Sequence, residues 1–169
     1  MKRWKYHVTI LTPPAPPILL DRYANHGQSA KLEKELIQKT EKKMEELQKS
    51  SSLTWIEVQF FQKAVEVLVD CRMTLKYTYA FAFYLQKNNM TELFEDNQRD
   101  LEIAVESLSE LVESPIDFDN IPALKQAVLD KTVYVSSRRH VVLSDTAKGL
   151  LEDRWIYLPD AETNTKISS

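Results

Sequence analysis

Only two of the 169 residues are glycine, Gly27 and Gly149. Glycine supplies the positive-φ positions on which tight hairpin turns depend, so a chain nearly without it is poorly equipped to build antiparallel sheet. Phosphate-binding loops of the P-loop and dinucleotide kinds need several glycines at short spacing and are excluded. From Thr54 to Phe94 neither glycine nor proline interrupts the chain. The expected class is all-α, a bundle of about four long helices.

The stretch LKYTYAFAFYLQKNN, residues 75–89, tests that expectation. Tyr77, Tyr79, Phe81 and Phe83 alternate with smaller residues, as strand residues do, and the run is aromatic enough to suggest a membrane. A membrane helix needs about 20 apolar residues. The uncharged run here is Tyr77 to Gln86, flanked by Lys76 and Lys87, which is too short. Val58, Phe61, Val65, Leu68, Arg72, Leu75, Tyr79, Ala82 and Leu85 recur at steps of three or four, which is helical. Thr54 with Glu57 three later is a capping-box pattern. One helix is therefore predicted over 54–87. Its aromatics, Trp55, Phe60, Phe61, Tyr77, Tyr79, Phe81, Phe83 and Tyr84, are assigned to the core, with both even- and odd-numbered ones buried.

Three further helices follow. Residues 22–49 carry an apolar stripe of Leu32, Leu36, Met44 and Leu47. Asn89 with Glu92 is a candidate start for a third helix bearing Phe94, Leu101, Ala104, Val105, Leu108, Leu111 and Val112. It stops at ESPIDFDN, where Asp117 and Asp119 are candidate caps. A last helix, about 121–151, holds Ile121, Leu124, Val128, Val135 and Val142, with Pro122 in its first turn. The expected partition is 1–20 as an extended or disordered segment containing PPAPP, 21–158 as the helical domain, and 159–169 as a disordered polar tail.

Chemistry is sparse. The net charge of −3 gives no basic field for nucleic acid. Cys71 is the single cysteine, so neither an internal disulfide nor a cysteine-built zinc site can form. A reducing, cytoplasmic setting is expected, with the nucleus also open. Cys71 sits mid-helix among apolar residues and reads as a buried, inert thiol. The residues three before His7, His26 and His140 are Trp4, Tyr23 and Ser137, so the Glu-x-x-His pairs of a helical di-metal site are missing. No GxSxG stretch accompanies His140 and Asp145. SSRRH, residues 136–140, reads first as cations pairing with acidic neighbours and second as a phosphate or RNA contact. In the first helix, Glu35–Lys39 and Glu45–Lys49 are favourable i,i+4 pairs. No catalytic residue, metal or cofactor is expected, nor a nucleic-acid or membrane partner. The residues alone leave a stand-alone helical scaffold or self-associating coiled coil open.

The runs RYANHGQSAKLEKEL…TEKKMEELQ, WIEVQFFQKAVEVLVDCRMTLKYTYAFAFYLQKNN and FEDNQRDLEIAVESLSEL, in this order, resemble the Ariadne domain, and DKTVYVSSRRHVVL does so more loosely. This is the carboxy-terminal helical region of Ariadne-type RING-between-RING ubiquitin ligases. The style of the sequence is similar to fungal members. The resemblance covers residues 22–157 and departs upstream, where TPPAPPILL stands in place of the continuing first helix of relatives.

The resemblance implies a part of a ligase. In that family, two RING-like zinc modules precede the domain and ubiquitin passes to a catalytic cysteine in the last. The Ariadne domain covers that cysteine until the ligase engages a neddylated cullin–RING complex. Both the catalytic module and that complex are thus the implied partners, and this chain alone should transfer nothing. The implied autoinhibitory interface is Leu32, Glu33 and Glu106, with Leu32 where the family often has phenylalanine. An apolar side chain would exclude water, and two carboxylates would accept donors beside the covered cysteine.

Overall fold

The computed structural model of the protein describes residues 21–25, 28, 33–51 and 53–159, apart from the side chains of Glu33 and Lys34. The expectations for residues 1–20 and for the tail from 160 onward lie outside the described residues. Residues 21–25 are helical. Five helices follow: α1 Glu33–Ser50, α2 Trp55–Val58, α3 Phe60–Phe83, α4 Asn89–Glu113 and α5 Ile121–Leu151, with a short 3-10 turn at Phe118–Asn120 before α5. Four of them are long, with 18, 24, 25 and 31 residues. Among the described residues there are no strands; one isolated antiparallel bridge joins Leu85 to Tyr157. The all-α bundle predicted from glycine scarcity is what the chain forms.

Helix α1 buries Leu36, Thr40, Met44 and Leu47, steps of four, four and three that place one face on α3. Its Lys/Glu face stays in water, and Lys49 lies 3.6 Å from Glu45. The α3–α4 pair is antiparallel. Phe81 meets Phe94 edge-on at 5.4 Å, the Gln98 amide donates to Thr78 Oγ1 at 2.8 Å, and Arg72 Nη2 donates to Ser109 Oγ at 2.7 Å. Helix α5 covers both partners. It buries Val128, Val135, Val142 and Gly149, one residue every seven, which is the period of a helix seam packed along its whole length.

The helix predicted over 54–87 needs correcting at both ends. The Thr54–Glu57 capping box is present, but the chain is interrupted at Gln59, whose N–H donates three residues back to Ile56 at 3.4 Å. The helix ends at Phe83, not near residue 87. Tyr84 and Leu85 donate to the carbonyls of Phe81 and Ala82 at 3.1 and 3.2 Å, a tightened last turn that delivers buried Leu85 to its bridge with Tyr157. The cap of α4 is Asn88, not Asn89. Its side chain accepts from the N–H groups of Met90 and Thr91, and its own N–H donates to Thr91 Oγ1 at 2.8 Å. Thr91 is buried, so a hydroxyl suits this position better than the carboxylate of the usual capping box. Asp117 does cap, but the 3-10 turn, accepting from Asp119 N–H at 3.1 Å.

Full burial of the aromatic run is also corrected. Phe60, Phe61 and Tyr79 are buried, whereas Tyr77 is 59 % exposed and Trp55 and Tyr84 about two-fifths exposed. Alternate residues on a helix turn by about 200°, so Tyr77 and Phe81 point to one side of it and Tyr79 and Phe83 to nearly the opposite side. Three neighbouring helices cannot cover every direction.

The chain closes beyond α5. Asp153 takes a positive φ of 51°, and Arg154 N–H returns to the Gly149 carbonyl at 2.9 Å. Trp155 is 6 % exposed. Its indole meets Phe81 and Phe94 edge-on, each at 5.6 Å, and its N–H donates to the Thr146 carbonyl at 3.0 Å. Gln86 N–H then donates to Ile156 O at 2.8 Å, and Leu158 N–H to Tyr84 O at 2.9 Å.

Candidate functional site

Helix α4 is amphipathic because Leu101, Ala104, Val105, Leu108 and Val112 fall on one face. That register sends Glu102, Glu106, Glu110 and Glu113 to the opposite side, at steps of four, four and three. With Arg22, Ile103, Ser107 and Ser114 they line an open groove of about 950 Å³.

These carboxylates differ in what they touch. Glu102 is the inner one. One oxygen accepts from the Tyr79 hydroxyl at 2.8 Å, and the other is paired with the Arg22 guanidinium. Burial pushes the Tyr79 phenol well above its ordinary value, reinforced by its hydrogen bond to Glu102. The same carboxylate raises Arg22 further above its ordinary value. Glu113 accepts from Ser109 Oγ at 2.8 Å, and Ser109 in turn accepts from Arg72. Lys43 reaches across from α1 to the carbonyls of Val112 and Ser114, and burial lowers its ammonium pKa. Glu106, one turn from Glu102, is exposed and has no side-chain partner among the described residues. It is an acceptor held in water beside Ile103.

Of the residues assigned from sequence, Glu106 is thus placed on an open face. Glu33 opens α1, with only its backbone described, and Leu32 lies outside the described residues. Missing from the sequence reading was the Arg22–Glu102–Tyr79 set. Arg22 and Glu102 stand 80 residues apart, and no local spacing signals such a pair.

The remaining candidates resolve into structure. Cys71 is fully buried, and desolvation pushes its thiol up to about 12, far from a nucleophile at neutral pH. Asp145 is held by Arg154 at 2.9 Å, and His140 is exposed. The SSRRH cations point inward to partners: Arg138 to Asp100 at 2.9 Å and Asn97 at 3.2 Å, Arg139 to Thr74 at 2.9 Å. Among the described residues no three His, Cys, Asp or Glu side chains converge as metal ligands, and no helix is long and apolar enough to cross a membrane.

Comparison with known proteins decides the family. The Ariadne domain family matches residues 19–137. The chain belongs to that family. An E3 ubiquitin-protein ligase of Schizosaccharomyces pombe, dbl4, is 60% identical to it over 140 residues, 83% of this chain and 28% of the relative. The human E3 ubiquitin-protein ligase ARIH1 is 49% identical over 140 residues, 83% of this chain and 25% of the relative. The Drosophila melanogaster E3 ubiquitin-protein ligase ariadne-1 is 48% identical over 137 residues, 81% of this chain and 27% of the relative. The Ariadne-domain chain therefore spans about a quarter of the length of these ligases.

Proposed function

We propose that this chain is a non-catalytic, autoinhibitory domain of a RING-between-RING ubiquitin ligase. It covers the catalytic cysteine of the ligase's last RING-like module until a neddylated cullin–RING complex is engaged. The observation that carries the reading is Glu106, an unpartnered carboxylate on the open face of α4 in a chain of the Ariadne family. With Leu32 and Glu33 it forms the inhibitory contact, an apolar lid with two acceptors for donors beside the covered thiol. Burial of Cys71 supports a role without chemistry of its own. The folded unit runs over 21–158, which the packing of Trp155 and the pairing of residues 156–158 with 84–86 support. The setting is cytoplasmic, with the nucleus included.

The test adds this chain to a RING-between-RING catalytic module lacking its own Ariadne domain and follows ubiquitin discharge to lysine. Slower discharge is expected, with relief by Glu106→Ala at unchanged melting temperature. Confirmed binding without slowing would defeat the reading. A self-associating coiled coil draws little support from α1, because Leu36, Met44 and Leu47 are already covered within the chain.

A further inference from the structure

We infer that the groove between α1 and α3 is a docking site for a short basic amphipathic helix of another protein, one whose apolar face is flanked by Lys and Arg. The groove encloses about 380 Å³. It shares no lining residue with the one that holds Glu106, so it is a second surface, beyond the inhibitory role. Two matching stripes form its walls. Helix α1 presents Ile37, Thr40 and Met44, and α3 presents Gln62, Val65 and Val69, each set at steps of three and four. That spacing keeps one face of each helix along the groove for about 10 Å, or two turns. A third helix laid between them would meet both stripes, the way grooves take up amphipathic helices.

The lining says what fits. Met44 and Val65 are buried, and Ile37 and Trp55 beside them are about two-fifths exposed. Single apolar residues on a surface are ordinary, but here they line one cleft. Trp55 stands on α2, a turn held by the burial of Val58 and by the Thr54–Glu57 capping box, with bonds of 2.9 and 2.8 Å. The backbone that bears the indole is thus set before a partner arrives, which limits the ordering cost of binding. The indole N–H has no acceptor among the described residues. A part-exposed Trp with a spare donor beside an apolar cleft has the character of an interface anchor. The rim supplies the charge. Glu41, Glu66 and Asp70 line the groove, and no cation does. Glu41 has no side-chain partner among the described residues. Glu66 lies 3.4 Å from exposed Lys63 on its own helix, and Asp70 3.8 Å from Arg139. Ion pairs this open to water are weak, so all three carboxylates can turn to cations on an incoming helix. A potential of this sign favours Lys and Arg and rejects an acidic helix.

Fluorescence anisotropy tests this with the whole chain and a labelled peptide of about 15 residues, long enough to hold a helix. Leu occupies one face of the peptide and Lys and Arg the other. It should bind, and more weakly as salt rises from about 50 to 300 mM. Peptides with Glu in place of the cations, or Ser in place of Leu, should not bind. Trp55→Ala should weaken binding by about 30-fold, as loss of an anchor does. Glu41→Lys should weaken it by about fivefold. It lies at an exposed position and should melt with the wild type, so its effect on affinity is not a loss of fold. Glu110→Lys, on α4 and outside this groove, should change affinity by less than about twofold. No binding by the basic peptide, equal binding by either control peptide, or equal effects of Glu41→Lys and Glu110→Lys would overturn the inference. So would two outcomes that give the groove another occupant. Self-association in sedimentation that Trp55→Ala abolishes would assign it to a second copy of the chain. A gain in peptide affinity on exchanging Lys2, Arg3 and Lys5 for Ser would assign it to the chain's own first residues.

Discussion

Gly149→Ala should destabilise this protein, although alanine is the better helix former. Gly149 lies on the buried seam of α5, and a Cβ there would stand 2.4 Å from Trp155 Cε2 and Nε1 and 2.7 Å from Cζ2. The favourable side is about 1 kcal/mol of helix propensity. The opposing side begins with overpacking, about 1–3 kcal/mol. Moving the indole aside also weakens its N–H bond to Thr146, about 1 kcal/mol, and two edge-on ring contacts at about 0.5–1.5 kcal/mol each. The net cost is roughly 2–6 kcal/mol, which at about 3 °C per kcal/mol for a domain of this size lowers the melting temperature by about 6–18 °C. Thermal melts followed by circular dichroism read this directly. The decisive comparison repeats the change in a Trp155→Ala background. There the added methyl meets no indole, and Gly149→Ala should raise stability by up to about 1 kcal/mol. An equal loss in both backgrounds, or no loss with Trp155 present, would refute the argument that the indole and the glycine are matched.

Other perturbations have equally definite signs. Asn88→Ala removes the acceptor for two N–H groups of α4 and should cost about 1 kcal/mol in denaturant titration, whereas Asn89→Ala should cost only a few tenths. Tyr79→Phe should cost about 1–2 kcal/mol at neutral pH. It should also flatten the alkaline limb of the stability curve: the Tyr79 pKa is raised on folding, so its contribution is complete below about pH 10, the unfolded value, and lost as pH rises beyond it. Cys71, with its thiol pushed up to about 12, should resist thiol reagents at pH 8 in the native protein and react at once in guanidinium, as a colorimetric thiol assay would show. Glu106→Gln should stabilise the isolated chain by a few tenths of a kcal/mol, by removing like-charge i,i+4 repulsion, while weakening inhibition in the discharge assay.

The helices were legible where one periodicity ran without competition. Val128, Val135 and Val142 were read as the inner face of the last helix and are buried, and the Thr54–Glu57 box sits where its spacing put it. Errors arose where two local solutions were nearly equal. Asn88 and Asn89 can both cap, and the choice fell to the one whose third residue, Thr91, could be buried. The aromatic run misled in another way. Its residue types report how much surface could be buried, whereas coverage by neighbours decides how much is, and Tyr77 and Tyr84 tolerate water because each phenol carries a polar tip. Trp155 and Gly149 lie six residues apart in the sequence, yet their contact depends on the positive φ of Asp153, which turns the chain back. Glu106 was reached by resemblance alone; helical spacing places it on α4 but cannot say that Glu102 would be paired while Glu106 would not.

That contrast bears most on function. Along α4 the chain supplies partners for most of its own carboxylates: Lys87 for Glu95, Arg99 for Asp96, Arg138 for Asp100, Arg22 for Glu102 and Ser109 for Glu113. Glu106 sits between Glu102 and Glu110 at i±4, a like-charge arrangement that disfavours the helix by a few tenths of a kcal/mol per pair, and among the described residues nothing is provided to offset it. Stability alone would favour a lysine or glutamine there. In the proposed role, a carboxylate kept solvated and unpaired beside Ile103 and Arg22 would keep its hydrogen-bonding capacity for a donor brought by the catalytic module. Because it would enter that contact from water and not from an internal ion pair, no internal bond would have to break first, and the contact could form and be released readily. A reversible cover over a reactive cysteine requires that property of its acceptor.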